Sequence, residues 1–268
     1  MRVRFLTAAL LCALLWALAG CGGRTGPEGT EEQKSSEEPK DTMEPEYAGE
    51  LLTALKRMEP LQSEDPDNEN LADLLQRNGS GMMVQLQAGS LLGSGVICGA
   101  AEERLFILTA AHVLEEAEDF VLVTFDDGAS VSVGDFECFG SGDFAVVRVP
   151  GDDIPEDTLE RCLCANVDKE SFDAATAGTG CIVMGSRTGV AAEAYEGVIL
   201  DHWIYMEDYG QYMMWVKAEG MQGMSGGGLF DRQGHFLGIL SGGNEDGELA
   251  VVPLSLILAE MDLQEFNQ

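Results

Sequence analysis

Gly223-Met224-Ser225-Gly226-Gly227-Gly228 sets a single hydroxyl among four glycines. Glycine takes positive φ and admits close backbone approach, so a serine flanked in this way can stand on a tight, exposed turn. Such a turn also gathers successive N–H groups into a concavity suited to an oxyanion. Ser-Gly clusters are equally common in ordinary loops. The stretch acquires chemical meaning only if a general base and an orienting carboxylate stand elsewhere in the chain.

Three histidines limit the search for the base. His235, in Asp231-Arg232-Gln233-Gly234-His235, reads as an exposed hairpin turn. His202, in Leu200-Asp201-His202-Trp203, reads as a polar strand end. His112 follows Ile107-Leu108-Thr109-Ala110-Ala111, an apolar strand running into small side chains that let an imidazole sit at a rim with other backbone close by. An orienting carboxylate must meet the second imidazole nitrogen to fix its tautomer and stabilise the imidazolium. Asp143 suits this role, because it heads the apolar strand Phe144-Ala145-Val146-Val147-Arg148-Val149, which would carry it to the edge of the core. Asp126, Asp127 and Asp135 sit among turn residues and suit it less.

From Met82 onward the apolar residues recur with β rhythm. Candidate strands are 82–86, 91–97, 105–109, 120–125, 130–136, 144–149, 181–184, 195–200, 213–216 and 236–240, separated by Gly, Asp or Asn turns. Short strands at such intervals predict a mainly β, antiparallel sandwich or barrel. An amphipathic helix over 254–266 closes the chain. The motifs T-A-A-H, G-D-F-A-V-V and G-M-S-G-G therefore occur in the order His, Asp, Ser on a β scaffold. Over Met82 to Glu260 the chain resembles the trypsin-like (chymotrypsin-fold) serine peptidases, above all the bacterial Htr/Deg branch. The likeness extends to Gly93-Ser94-Gly95-Val96-Ile97, Val183-Met184-Gly185-Ser186, Gly234-His235-Phe236-Leu237-Gly238-Ile239 and Ala250-Val251-Val252-Pro253.

The resemblance implies two six-stranded β-barrels with the site in the cleft between them. It makes Ser225 the nucleophile, His112 the general acid–base and Asp143 its orienter. The amides of Gly223 and Ser225 would form the oxyanion hole, and Ser241-Gly242-Gly243 would accept an extended peptide by β-addition. Glu219, six residues before Ser225, falls where such folds place the floor of the S1 pocket and would favour a basic P1 side chain. Htr-like clefts instead imply small aliphatic residues in unfolded chains. Two positions depart from the family. Met224 stands where trypsins carry Asp and Htr proteins usually Asn, and Gln222 replaces a Pro. No PDZ-like segment follows the last helix.

Two other readings compete. Gly223-x-Ser225-x-Gly227 also matches a nucleophile elbow, but that fold needs a helix after the serine and both partners downstream. Here strand, turn and strand follow, with only His235. The second rival is a catalytically silent fold of the same kind that binds peptides or proteins at the cell envelope.

The formal charge of −32 would repel phosphate backbones, so nucleic acid is not an expected partner. Arg2 and Arg4 precede an apolar run, Phe5 to Leu18, too short to span a bilayer comfortably. The run ends in Leu18-Ala19-Gly20-Cys21, which resembles a bacterial lipobox. Residues 1–20 read as a leader and Cys21 as the lipidated residue, which places the protein outside the cytoplasm, anchored to a membrane but not spanning it. Residues 21–46 form an acidic, nearly apolar-free tether about 25–30 Å in root-mean-square span. Residues 47–80 predict two short helices. One is carried by Leu51, Leu52, Leu55 and Met58; the other by Leu71, Leu74 and Leu75, with Asp67-Asn68 as caps. The peptidase-like domain occupies 81–268. Cys98, Cys138, Cys162, Cys164 and Cys181 remain in the mature chain, an odd number, so at least one is free or paired between chains. Cys162-Leu163-Cys164 lacks zinc spacing, so neither a metal nor another cofactor is expected. Oligomeric state is left open.

Overall fold

The computed structural model describes residues 50–62, 70–139, 142–188 and 191–261. The leader, Cys21, the tether, the Asp67-Asn68 pair and the distal part of the last expected helix lie outside these residues.

Residues 50–53 are helical, but the helix expected through Met58 stops there. Leu52 and Met58 still bury their side chains. Between them Lys56–Arg57 (β1) pairs in parallel with Leu163–Cys164 (β9). Tertiary pairing has overridden the helical spacing of the leucines. The second helix, Leu71–Gly79 (α1), forms as expected. Its N-cap is Asn70, whose side chain accepts from the Asp73 N–H at 3.2 Å and satisfies one orphan donor of the first turn.

The first half of the body is one sheet of seven strands: Met83–Ala88 (β2), Leu91–Ala101 (β3), Arg104–Thr109 (β4), Val121–Thr124 (β5), Ser130–Val133 (β6), Phe136–Cys138 (β7) and Ala145–Pro150 (β8). They lie in the order β6-β5-β2-β3-β4-β8-β7. The sheet curls into a half-barrel. The single strand expected over 130–136 breaks at Gly134-Asp135, where the chain leaves β5 and crosses to pair with β8. Val84, Leu86, Ile97, Leu105, Ile107, Val121, Val123 and Val147 are buried, as are Val96 and Val146 on the opposite face of their strands.

The second half contains Asn166–Val167 (β10), Gly180–Gly185 (β11), Glu193–Met206 (β12), Gln211–Ala218 (β13), Gly228–Asp231 (β14), His235–Gly243 (β15) and Glu248–Pro253 (β16). Here β11-β12-β13-β16-β15-β14 close on themselves into a six-stranded barrel, and β10 adds in parallel to β15. The fold is therefore mainly β and trypsin-like, with one barrel closed and its partner curled but open. Strand β12 is much longer than the alternation over 195–200 indicates. Register shifts between Ile199 and Asp201, and between Asp201 and Ile204, break the period that a sequence pattern can register. The last helix, Leu254–Glu260 (α2), packs Leu254 and Ile257 against the core.

Candidate active site

The sheet register of the first half brings His112 and Asp143 together. Strands β4 and β8 are antiparallel with Thr109 opposite Ala145. The residues just beyond β4 and just before β8 therefore share one end of the sheet. His112 sits there in the 3-10 turn Ala111–Leu114, locked by buried Val113 and Leu114. Its Nδ1 lies 2.8 Å from Asp143 Oδ2, and its backbone N–H donates to Asp143 Oδ1 at 3.0 Å. Both carboxylate oxygens are thus engaged by one residue, which fixes the ring's orientation. Burial works against the charged imidazole, but the hydrogen bond and charge of Asp143, with the charge of Glu115, outweigh it and raise the His112 pKa.

Ser225 approaches from the other half. The β14–β15 ladder continues past its ends through Gly226 N–H to the Leu240 carbonyl (2.7 Å) and Leu240 N–H to the Gly227 carbonyl (2.8 Å). Gly226 has φ +83°, and a Cβ on it would overlap the Ser94 carbonyl and the Thr109 hydroxyl. Only glycine fits. The turn thereby presses Ser225 against the first half, where the Ser94 N–H donates to the Ser225 carbonyl at 2.7 Å. Ser94 is fully buried and ties the two halves together. Its hydroxyl donates to the Gly223 carbonyl (2.8 Å) and accepts from the Ser186 N–H (2.8 Å), while its own carbonyl accepts from the Thr109 hydroxyl (2.8 Å). The Gly93-Ser94-Gly95 motif was legible in the sequence; this clamp was not.

Ser241 links the serine to the carboxylate. The Ser225 hydroxyl donates to the Ser241 carbonyl at 3.3 Å, and the Ser241 hydroxyl donates to Asp143 Oδ2. Among the described residues, no group accepts a hydrogen bond from the N–H of Gly223 or of Ser225, while the Met224 N–H between them is taken by the Met221 carbonyl at 3.1 Å. Gly223 has φ +92°. Met224 is buried. Ser241 to Gly243 end β15, and among the described residues no strand lies on their edge away from β16. Gly242 borders Tyr209, whose hydroxyl fills the space a side chain at 242 would need. Burial and the Asp143 charge, against a hydrogen bond with Ser241, push the Tyr209 phenol up to about 12. Tyr209 sits at the β12–β13 turn, 66 residues from Asp143 in a segment with no motif, so nothing local marked it.

Glu219 lies exposed just past β13, close enough for its charge to act on Tyr195. The other histidines are elsewhere. His202 lies within β12, not at its end, and its ring packs on Phe172 at 4.9 Å. His235, expected to be exposed, is largely covered: its Nδ1 meets Asp231 Oδ2 at 2.8 Å and the Ser171 hydroxyl at 3.0 Å. Asp126, Asp127 and Asp135 hold Arg161, Thr158 and the Arg104/Arg148 pair. Cys98, Cys138, Cys162, Cys164 and Cys181 are all free. Burial pushes Cys162 and Cys181 up to about 12 and Cys164 to about 11, which keeps these thiols protonated and unreactive. Among the described residues, no cluster of His, Cys, Asp and Glu could hold a metal ion.

A half-barrel and a closed barrel, clamped face to face with a His–Asp pair on one side and a glycine-held serine on the other, define a peptidase of the trypsin-like class. The sequence matches the trypsin-like peptidase domain over residues 93–239, more than half of the chain, and the chain belongs to that family. Among solved structures it is similar to the Rv3671c protease of M. tuberculosis in its inactive form, with a TM-score of 0.55 at 20% identity over 80% of this chain and 100% of that one. It is also similar to the HtrA-type protease AlgW bound to a tripeptide, with a TM-score of 0.55 at 24% identity over 71% of this chain and 62% of that one. No curated protein matches the sequence.

Proposed function

We propose that the chain is a serine endopeptidase that cleaves unfolded or extended polypeptides outside the cytoplasm through an acyl-enzyme. One observation carries the reading: His112, oriented by Asp143, and the glycine-held Ser225 are joined through a single residue, Ser241. The Ser225 hydroxyl rests on the Ser241 carbonyl, and the reaction requires it to turn about its Cα–Cβ bond to Nε2 of His112. The oxygen then attacks the scissile carbonyl as Nε2 takes its proton, and Asp143 stabilises the imidazolium without itself being protonated. The Gly223 and Ser225 N–H groups receive the oxyanion, and each such donor contributes roughly 3–4 kcal/mol in the transition state. His112 then protonates the departing amine, and water repeats the cycle on the acyl-enzyme. The open edge of Ser241-Gly242-Gly243 accepts the substrate backbone as an added strand, which selects extended chains over folded ones.

Purified mature protein is expected to hydrolyse a fluorescein-labelled unfolded casein and to be labelled at Ser225 by a fluorophosphonate. Ser225→Ala should remove both, with a loss in kcat on the order of 10⁴ or more. A Ser225→Ala protein that hydrolyses casein at the wild-type rate sinks the proposal. The lipobox-like Leu18-Ala19-Gly20-Cys21 supports anchoring through Cys21, and mass spectrometry of the membrane-extracted N-terminus tests it.

A further inference from the structure

The loop that carries Gly223 departs from its family at Gln222 and Met224, and buried Met224 has no carboxylate to pin the loop by an ion pair. Something else must set the orientation of the Gln222–Gly223 peptide. That peptide decides whether an N–H or a carbonyl faces the substrate oxygen. A trans peptide points its C=O and N–H to opposite sides of one plane, so holding the Gln222 carbonyl fixes the Gly223 N–H.

The group holding it is Arg187, two residues past the end of β11. Its Nε donates to the Gln222 carbonyl at 2.9 Å. One terminal nitrogen pairs with Glu193 Oε2 at 3.0 Å and reaches Met221 Sδ at 2.9 Å. The Tyr195 hydroxyl donates to the same Glu193 oxygen at 3.2 Å, so the carboxylate is itself held. The Arg187 backbone is fixed as well, because the Gln85 side chain, from β2 in the other half, donates to its carbonyl. The aliphatic stem lies beside Gly223, where a Cβ would meet Arg187 Cγ at 3.4 Å. On the far side the Gly223 carbonyl is taken by Ser94. Both peptides flanking Gly223 are thus tied by side chains at their carbonyls, and Gly223, at φ +92°, is the residue that lets the two planes turn against each other.

We infer that Arg187 is the positioning residue of the oxyanion loop: its guanidinium holds the Gln222 carbonyl away from the cleft, aims the Gly223 N–H at the substrate oxygen, and is itself set by Glu193 and Tyr195. This rests on the serine-peptidase reading above. Arg187 touches neither substrate nor the reacting atoms. Its effect falls on the transition state alone, since the ground-state carbonyl gains little from a donor aimed at an oxyanion. Lysine cannot replace it, because a point charge lacks the fork that bonds a carbonyl and a carboxylate together.

The test compares wild type, Arg187→Ala, Arg187→Lys and Glu193→Gln on a fluorogenic peptide, with rates expressed per fluorophosphonate-titrated site so that misfolded protein drops out. Arg187→Ala should lower kcat about 10–100-fold, below the full 10²–10³ for losing a donor outright, with KM within about threefold. A peptide aldehyde, which forms a tetrahedral adduct with an oxyanion, should bind more weakly in the same proportion. A non-hydrolysable peptide of the same sequence should bind as before, and the pH midpoint should not move. Arg187→Lys should recover little, and Glu193→Gln should fall between. If Arg187→Ala fails to fold, Glu193→Gln carries the same comparison with a smaller loss. An Arg187→Ala or Glu193→Gln protein with wild-type kcat and aldehyde affinity overturns the inference while leaving the peptidase standing. A wild-type chain that neither hydrolyses nor labels overturns both.

Discussion

The molecule contains the same histidine–aspartate pair twice. In each, Nδ1 lies 2.8 Å from Oδ2 of the aspartate, and the histidine N–H donates to the aspartate's other oxygen. At His235 the partner is Asp231, four residues away in one tight turn; at His112 it is Asp143, 31 residues away and just ahead of β8. The His235 ring is nearly covered, at 16% exposure against 40% for His112. Its second contact, the Ser171 hydroxyl, also falls on Nδ1 and so competes with the aspartate. The His112 pair instead reaches, through Ser241, a serine from the other half of the molecule. A histidine–aspartate hydrogen bond is therefore a packing device until the far nitrogen faces something that can react.

Removing each carboxylate's charge gives the largest contrast. Asp143→Asn should lower kcat by about 10⁴, because the amide holds the wrong imidazole tautomer and cannot stabilise the imidazolium. Asp231→Asn should leave kcat per titrated site within about twofold. It should instead destabilise the fold by about 1–3 kcal/mol, since Asp231 accepts from the Gln233 N–H, the His235 N–H and the His235 ring in a nearly buried turn. Casein hydrolysis and thermal unfolding, run on both variants, check the assignment. Equal activity losses would erase the distinction between the two pairs.

The two turns can also be tested through their glycines. Gly226 and Gly234 share φ +83°, but a Cβ on Gly226 would strike the Ser94 carbonyl and the Ala110 N–H, which are backbone, whereas one on Gly234 would strike the tip of Met58. Gly226→Ala should cost about 3–5 kcal/mol, combining left-handed strain with overpacking that nothing can relieve, and it should displace Ser225. Gly234→Ala should cost about 1–2 kcal/mol, because the Met58 side chain can swing aside, and should spare activity per site. Chemical denaturation of the two proteins measures the difference.

What the sequence revealed of this contrast follows from how far each contact reaches. The strand ahead of His112, the apolar strand after Asp143 and the glycines around Ser225 each impose a local requirement on a few neighbouring residues, so each left a readable motif. The covered state of His235 depends on Ser171 and α-helical residues 169–174, brought in from more than 60 positions away, so an exposed turn was the natural local reading. Arg187 and Tyr209 act on the site through a loop and a hairpin tip, with no periodicity to announce them, and Gln85 reaches it from β2 through a contact 102 residues away in sequence. The leucines at 51–58 misled for the opposite reason. Their helical spacing is real, but pairing of Lys56–Arg57 with β9 offered those backbone groups better partners.

The smallest effect separates the electrostatic surroundings of the two rings. In the proposed mechanism His112 acts as a neutral base, so kcat/KM should rise with pH through a midpoint above the ordinary imidazole value, in the direction set by Asp143 and Glu115 against burial. Stability carries the opposite sign. A raised folded-state pKa favours the charged ring, a contribution fully present below the unfolded imidazole pKa and lost as pH rises through the folded one. Glu115 is exposed, so Glu115→Gln should lower the activity midpoint only slightly, and 1 M salt should produce much the same shift in the wild type. His235→Gln should leave the midpoint where it is. A Glu115→Gln shift that survives in 1 M salt would mean that His112 feels this carboxylate through the protein rather than through water, and that its surroundings are closer to those of His235 than their exposures indicate.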